Sequence, residues 1–463
     1  MFEQNDLCLG AIQKIGDKIN GLRQRESFTH NLAVTFSGNA LAQIIGVAFT
    51  PFIARIYGPQ AYGVFALFMA VVSSLSPLST LQFPSGYVAA PNRDEFFRIV
   101  KITLYVLVTG SAIFFGVVFF WGQSLTSYFQ VSELNPLLFW MPVYFLFMGL
   151  DHILLGWNIC EKEFRRGAVA KLMSVILSKS SAIVLGLYSG ANASGLMLSN
   201  LIVYPTESFV KLSKRIVSGL GGITKQSSWK ELHQTFLNFK GYAFFVTPGL
   251  FVTNLSNQLP VYCFSIVFHE SVVGFYALAN SVVNMPLSVI VNSSTTVFLQ
   301  KAAETMRTST DDLKKLVLSL YQRLFWIGFT GLVVLAFISK WIFGLVFGDE
   351  WIQAGGIASL LCIGVIFSVP GNPLNVLYRL MGYEKTNFAI NLIFLFVKVL
   401  GIGIGLYINS VEVSVIGFSV ATLLQSVVLL YVTFSILNIP RGKLLRDLII
   451  TVALFVLIVA LRF

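Results

Sequence analysis

Charge is scarce in this chain. Of its 463 residues, 11% are Asp, Glu, Lys or Arg and 56% are hydrophobic, against about a quarter charged in an ordinary soluble domain. A soluble core has no room for that much Leu, Ile, Val and Phe, so lipid must solvate much of the surface. Cysteine is as sparse. Cys8, Cys160, Cys263 and Cys362 are far apart, and none forms the C-x-x-C spacing of a zinc or redox site, which leaves inert thiols as the ordinary reading. The histidines His30, His152, His233 and His269 are isolated, so no metal site is expected. Enzyme signatures are missing: there is no G-x-x-x-x-G-K-[ST] loop, no H-E-x-x-H, no G-x-S-x-G and no EF-hand loop. No enzymatic activity and no cofactor are expected. The first thirty residues mix Lys14, Lys18, Arg23 and Arg25 with Asp17 and Glu26, so no cleavable secretory signal is expected either.

What is there is apolar sequence in long runs. A membrane span needs about 20 mostly apolar residues, and the chain offers roughly thirteen such stretches. They are 32–54, 62–89, 99–121, 136–158, 169–188, 195–212, 241–266, 272–298, 316–340, 355–378, 386–408, 413–437 and 444–462. Ser124–Phe129 and Trp341–Phe347, which follow two of them, are expected to be short helices on the membrane surface. Residues 7–22 set Leu7, Ala11, Ile15, Ile19 and Leu22 at helical spacing, which fits an amphipathic helix on the inner leaflet or a poorly ordered leader.

The net charge of +11 invites a nucleic-acid partner, but the bases are spread over many short loops rather than gathered on one face, and none is expected. Their spacing carries topology instead. The N-terminal segment and every second loop hold the Lys and Arg, among them Arg93, Arg98, Lys162, Arg165, Lys211, Lys214, Lys301, Arg307, Arg379, Lys385 and Arg441. The intervening loops hold acids such as Glu133, Asp349, Glu350 and Glu412. This positive-inside pattern places the N-terminus in the cytoplasm.

Two halves follow. A cytoplasmic N-terminal segment (1–30) leads to an N-lobe of six spans (31–212), a linker (213–240), a C-lobe of six (241–437) and a further C-terminal helix (438–463). Gly63-Val-Phe-Ala-Leu67 is echoed by Gly274-Phe-Tyr-Ala-Leu278, each shortly before a proline, Pro77 or Pro286. Lys179 lies eight residues before Leu187-Tyr188, as Lys398 lies eight before Leu406-Tyr407, with Ala182 and Gly186 matching Gly401 and Gly405. Six spans per half make these parallel repeats about an axis along the membrane normal. The expected fold is an all-α integral membrane protein of two six-helix lobes plus about one extra helix.

Charge inside the membrane is the remaining signal. A base at mid-bilayer costs about 2.5–3.5 kcal/mol on insertion scales and is seldom kept without a role. Lys179 and Lys398 lie near the midplane, and either a cationic cavity for an anionic substrate or an internal ion pair accounts for them. Arg55 and Arg323 are shallower, as cavity residues or interfacial anchors. Asp151 and Glu207 are the intramembrane acids, for ion coupling or for charge pairing. The Ala182, Gly186, Gly401 and Gly405 stripe reads as close helix packing.

The run Ala54-Arg55-Ile56-Tyr57-Gly58-Pro59-Gln60-Ala61-Tyr62-Gly63-Val64-Phe65-Ala66-Leu67 resembles the signature of bacterial polysaccharide flippases, the O-antigen and exopolysaccharide exporters of the MOP superfamily and relatives of the MATE drug exporters. The likeness extends from about 30 to 437. It implies a MATE-like pair of lobes and alternating access. The implied cargo is an oligosaccharide linked to undecaprenyl pyrophosphate, crossing the bacterial inner membrane. It also implies a cationic central cavity in which Arg55 takes the place of the motif arginine, with a polysaccharide polymerase and chain-length machinery as partners. Twelve or fourteen spans are usual in the family, and a thirteenth here leaves the side of the C-terminus open. With no ATP site, energy would come from an H⁺ or Na⁺ gradient, the membrane potential or consumption of product. The rival reading is a cation-coupled MATE-like exporter of small organic molecules. A glycan polymerase or ligase is disfavoured because outer loops of about a dozen residues leave little room for catalysis.

Overall fold

A computed structural model describes residues 3–128, 138–224, 227–306 and 309–460, with side chains from 38 onward save 125, 189, 224, 457 and 459. Backbone in lipid must satisfy its own hydrogen bonds, and each apolar run does so as helix; no strand occurs among the described residues.

The first helix, α1 (Glu3–Leu75), is two arms joined at Gly58, whose φ of 67° and ψ of 174° suit glycine and stand just before Pro59. Short 3-10 turns, Ser76–Leu78 and Phe83–Ala89, continue the second arm. The 52-residue, predominantly apolar stretch from Gly38 to Ala89 is longer than the about 20 residues that one pass needs. Then follow α2 (Arg93–Tyr128), α3 (Trp140–Cys160), α4 (Phe164–Ser189), and the broken pair α5 (Ala193–Leu201) and α6 (Val203–Lys211). The linker is not an open loop but two helices, α7 (Lys214–Thr224) and α8 (Trp229–Gly241). A π turn, Tyr242–Val246, opens the second half. Its helices are α9 (Thr247–Val267), α10 (Glu270–Thr305), α11 (Thr310–Phe347), α12 (Ile352–Val365), α13 (Ser368–Leu374), α14 (Val376–Leu380), α15 (Glu384–Tyr407), α16 (Val411–Ile436) and α17 (Gly442–Ala460).

Eight helices among the described residues are long and apolar enough to cross a membrane, or nine if the pair bent by 47° at 349–380 is one span. The surface helices expected after Trp121 and Lys340 do not form separately. Ser124–Tyr128 is the end of α2 and Trp341–Phe347 the end of α11, with no break to turn either aside; Phe129 lies outside the described residues. The 7–22 stretch belongs to the backbone of α1, and the facing of its side chains lies outside the described residues.

Small residues set the packing within each lobe, because lipid tails give no hydrophobic drive and close approach must supply dispersion instead. In the N-lobe, Gly38 and Gly46 of α1 face Ala168 and Val175 of α4, and Gly186 and Gly195 make room for Tyr57, whose hydroxyl donates to Ala182 O at 2.7 Å. In the C-lobe, Gly401 lies against Gly417 and Gly405 against Ser414. Between the lobes, the second arm of α1 crosses α10 at Gly63 and Gly274. A methyl group on Gly63 would collide with the carbonyl oxygen of Glu270, and one on Gly274 with that of Pro59. The GVFAL and GFYAL echoes therefore meet at the crossing of α1 and α10.

A polar seam adds to this contact. Asn254 Nδ2 donates to Ser73 O at 3.0 Å, Gln258 Nε2 to Ser73 Oγ at 3.2 Å and Tyr262 hydroxyl to Ser74 Oγ at 3.0 Å. The linker helices cover the basic end of the N-lobe, with Gly219 against Trp157, Gly222 against Phe97, and Asn238 donating to Glu95 at 2.9 Å. The extra helix α17 is tied to the C-lobe through buried Asp447, which accepts from Tyr321 at 3.0 Å and from Arg446 at 2.7 and 2.9 Å.

Candidate functional site: a cavity between the lobes

Three N-lobe helices converge at the basic end. Glu207 and Lys211 stand one turn apart on α6, the acid N-terminal to the base, which is the favourable order along a helix. Lys211 closes the helix, where a cation also meets the negative end of the dipole. Asp151 projects from α3 and Lys171 from α4. The four join: Lys211 Nζ lies 2.6 Å from Asp151 Oδ1 and 2.8 Å from Glu207 Oε2, and Lys171 Nζ lies 3.2 Å from Glu207 Oε1. Ser174 Oγ donates to the same Glu207 oxygen at 2.9 Å, and Asn158 Nδ2 caps the open carbonyl of Lys211 at 3.0 Å. Asp151, Glu207 and Lys211 are each at most 4% exposed, whereas the Lys171 side chain is 48% exposed. Two bases offset two acids, so the cluster can stay charged at a depth where a lone ion could not.

This cluster forms part of the wall of a cavity of about 690 Å³. Its N-lobe wall also holds His152, Asn158, Glu163 and Tyr204, with Asn39 and Gln43 from α1. Its C-lobe wall is α10 alone, through Val289, Asn292, Ser293, Thr295 and Thr296. Beside it Gln43 Nε2 donates to Met285 O at 2.9 Å and to Ser288 Oγ, joining α1 to α10.

The opposite end is shut. Arg55 donates from Nη2 to Leu345 O at 2.6 Å and from Nε to Val346 O at 3.0 Å, satisfying carbonyls left open at the end of α11. Trp351 returns the contact, its Nε1 donating to Ala54 O at 3.2 Å, and its ring meets Tyr62 edge-on at 5.5 Å. The cavity therefore lies at the basic end, with a latch between the lobes at the other.

A family model described as polysaccharide biosynthesis protein matches residues 52–356. The chain belongs to that family. The chain is also 22% identical over 419 residues to an uncharacterized membrane protein in the cps region of Klebsiella pneumoniae, covering 88% of this chain and 81% of that one. Its fold is that of the MOP superfamily. An inward-facing multidrug resistance MATE transporter superposes with a TM-score of 0.60 at 11% identity, over 87% of this chain and 94% of its own. A MOP transporter from Pyrococcus furiosus, described as having a binding pocket of reversed polarity, gives 0.58 at 11% identity, over 87% and 95%. The family is that of a polysaccharide biosynthesis protein, and the fold is one shared with MATE transporters.

The residues singled out from sequence divide accordingly. Asp151 and Glu207 line the cavity of this transporter and are paired with bases. Arg55 is in the latch. Arg323 stands on the exposed face of α11 beside Trp326 and Ile327. Lys398 is 2% exposed between three C-lobe helices, its Nζ donating to Ser256 Oγ of α9 at 3.1 Å and lying 5.4 Å from the Phe418 ring centre on α16. Lys179 is half-buried on α4, with neither a hydrogen bond nor an ion pair among the described residues, and outside the cavity wall. Lys211 stands in sequence among the loop bases, and Lys171 lies near the start of an apolar run. The Glu207-x-x-x-Lys211 spacing opposite Asp151 is the signal that identifies them as a cluster.

Proposed function

We propose that the transporter carries an oligosaccharide linked to undecaprenyl pyrophosphate across the bacterial inner membrane, from cytoplasmic to outer leaflet, by alternating access, for surface polysaccharide assembly. The observation that carries this reading is the paired Lys171–Glu207–Lys211–Asp151 cluster on a cavity that lies at the basic, hence cytoplasmic, end. A pyrophosphate desolvates at a cost of several kcal/mol per polar group unless bases meet it. Lys211 and Lys171, held by carboxylates until cargo arrives, supply charge-assisted donors without leaving unpaired cations in the empty state. The carboxylates then released would take H⁺ or Na⁺ as coupling ion. A polymerase and its chain-length partner would receive the cargo outside.

A strain lacking the gene should lose surface polysaccharide and accumulate undecaprenyl-linked intermediates on the cytoplasmic side, and plasmid-borne wild type should reverse both. Unchanged surface polysaccharide in the deletion strain would defeat the proposal. The second reading, a MATE-like exporter of organic cations, draws on Asp151 and Glu207 in the wall. It requires those acids free, and both are already neutralised by lysines. Drug susceptibility altered in the deletion strain, with polysaccharide intact, would favour it.

A further inference from the structure

The cavity wall is divided by chemistry. Every ionisable side chain in it, from Asp151 to Lys211, comes from α3, α4, α6 or the turn between α3 and α4, while the faces given by α1 and α10 hold amides and hydroxyls without charge. On α10 the polar residues recur every fourth position, as Asn280, Asn284, Ser288, Asn292 and Thr296, a spacing that keeps them near one face of a helix. Burial changes along the same helix. Many residues from Val273 to Val283 are buried, and Phe298 and Ala302 are again, yet none from Asn284 to Val297 is. This stretch of a central helix therefore borders open space rather than packed protein.

Its hydrogen-bonding capacity is directed in a particular way. Ser293, Thr295 and Thr296 each donate their hydroxyl proton back to their own helix, to Val289 O, Val291 O and Asn292 O at 2.7, 2.7 and 3.2 Å. Their oxygens remain as acceptors facing the cavity. The carboxamides of Asn39 and Asn292 have no protein partner among the described residues, so each offers donors and an acceptor together. A wall that accepts more than it donates, carries no charge and retains two whole amides suits a ligand rich in neutral hydroxyl and acetamido groups.

We infer that Asn39, Gln43, Asn292, Ser293, Thr295 and Thr296 form the sugar-contacting wall of the cavity, which recognises the glycan separately from the anionic headgroup held by the α4 and α6 lysines. This rests on the flippase reading and adds to it a specificity-determining surface. The glycan lies along α10 and the phosphates against the charged cluster, so the two halves of one cargo are read by different helices.

The test uses the full chain in nanodiscs and two ligands: undecaprenyl pyrophosphate, and the glycan-bearing lipid isolated from the deletion strain. Wild type should bind the glycan-bearing lipid more tightly. The Asn39→Ala/Asn292→Ala variant should lose about tenfold for that lipid, the effect of one or two hydrogen bonds, with its affinity for the bare lipid unchanged. Lys171→Gln should weaken both lipids alike. If the asparagine variant keeps the wild-type preference, or weakens both lipids equally, the wall assignment is overturned. If wild type binds neither lipid, the flippase reading falls and the inference with it. Tryptophan emission and melting temperature matching wild type establish that the variant is folded.

Discussion

Gly63 and Gly274 meet at the crossing of α1 and α10, where the carbonyl of Glu270 fills the space a side chain on Gly63 would need and the carbonyl of Pro59 the space for one on Gly274. The backbones of the two helices are in close contact there. Any rocking of one lobe on the other must pivot near it, since backbone atoms in van der Waals contact resist sliding more than long side chains do.

Enlarging that contact should hinder both folding and motion. Gly63→Ala and Gly274→Ala are each expected to destabilise the protein by about 1–3 kcal/mol, as overpacking does. Both should abolish export even at normal protein level. Thermal melting in detergent, with surface polysaccharide measured alongside, checks this. Full export by either variant would remove the pivot from the mechanism.

The latch of Arg55 and Trp351 gives a second expectation. Arg55→Ala removes two hydrogen bonds that join the lobes at the end remote from the cavity, and so should shift the population toward the state open on that side. A cysteine at Phe275, which is buried against Trp351, reports the shift. An impermeant maleimide added outside should label Phe275→Cys several-fold faster in the Arg55→Ala background. Equal labelling rates would show that the latch does not hold the outer side closed.

The buried cluster separates folding from transport. Lys211→Met leaves Asp151 without its base and is expected to destabilise by about 3–5 kcal/mol. The triple variant Lys211→Met/Asp151→Leu/Glu207→Gln removes the uncompensated charges and should recover most of that loss while staying inactive. Melting temperatures and export assays on the two variants decide the point. Export by the triple variant would mean the cluster serves stability alone.

Lys398 behaves differently, because it has no acid beside it. Its ammonium rests on Ser256 Oγ and near the ring of Phe418, a setting that an apolar chain of similar length can fill. Lys398→Met should leave melting unchanged or raised, with export within about twofold of wild type, as volume-conserving core changes usually cost little. Loss of export with intact folding would instead assign Lys398 a part in transport that opens in another conformation.

The membrane character and the helical runs were readable because apolar runs of span length are direct marks of lipid. The GVFAL and GFYAL echo was readable too, but that its glycines touch each other was not. Facing was the difficulty. In water, periodicity separates core from surface; in a bilayer both are apolar, so the place of Lys398 between α9, α15 and α16 was not readable. Lys211 was missed for the opposite reason. It ends an apolar run, where a base is ordinarily solvated, and only tertiary contact with Asp151 draws it inside. The break at Gly58 falls in the gap between the expected spans 32–54 and 62–89, whereas the apolar runs did not mark the continuation of α2 and α11 beyond the expected span ends.

The latch has one further property. Its bonds run to the spare carbonyls at a helix terminus near the aqueous rim, and water can occupy the same acceptors as soon as the guanidinium leaves. Separation there exchanges one set of partners for another of similar quality, leaving little enthalpic penalty. A door sealed in this manner closes with directional fit yet opens without a large activation demand, so modest forces such as cargo arrival can move it.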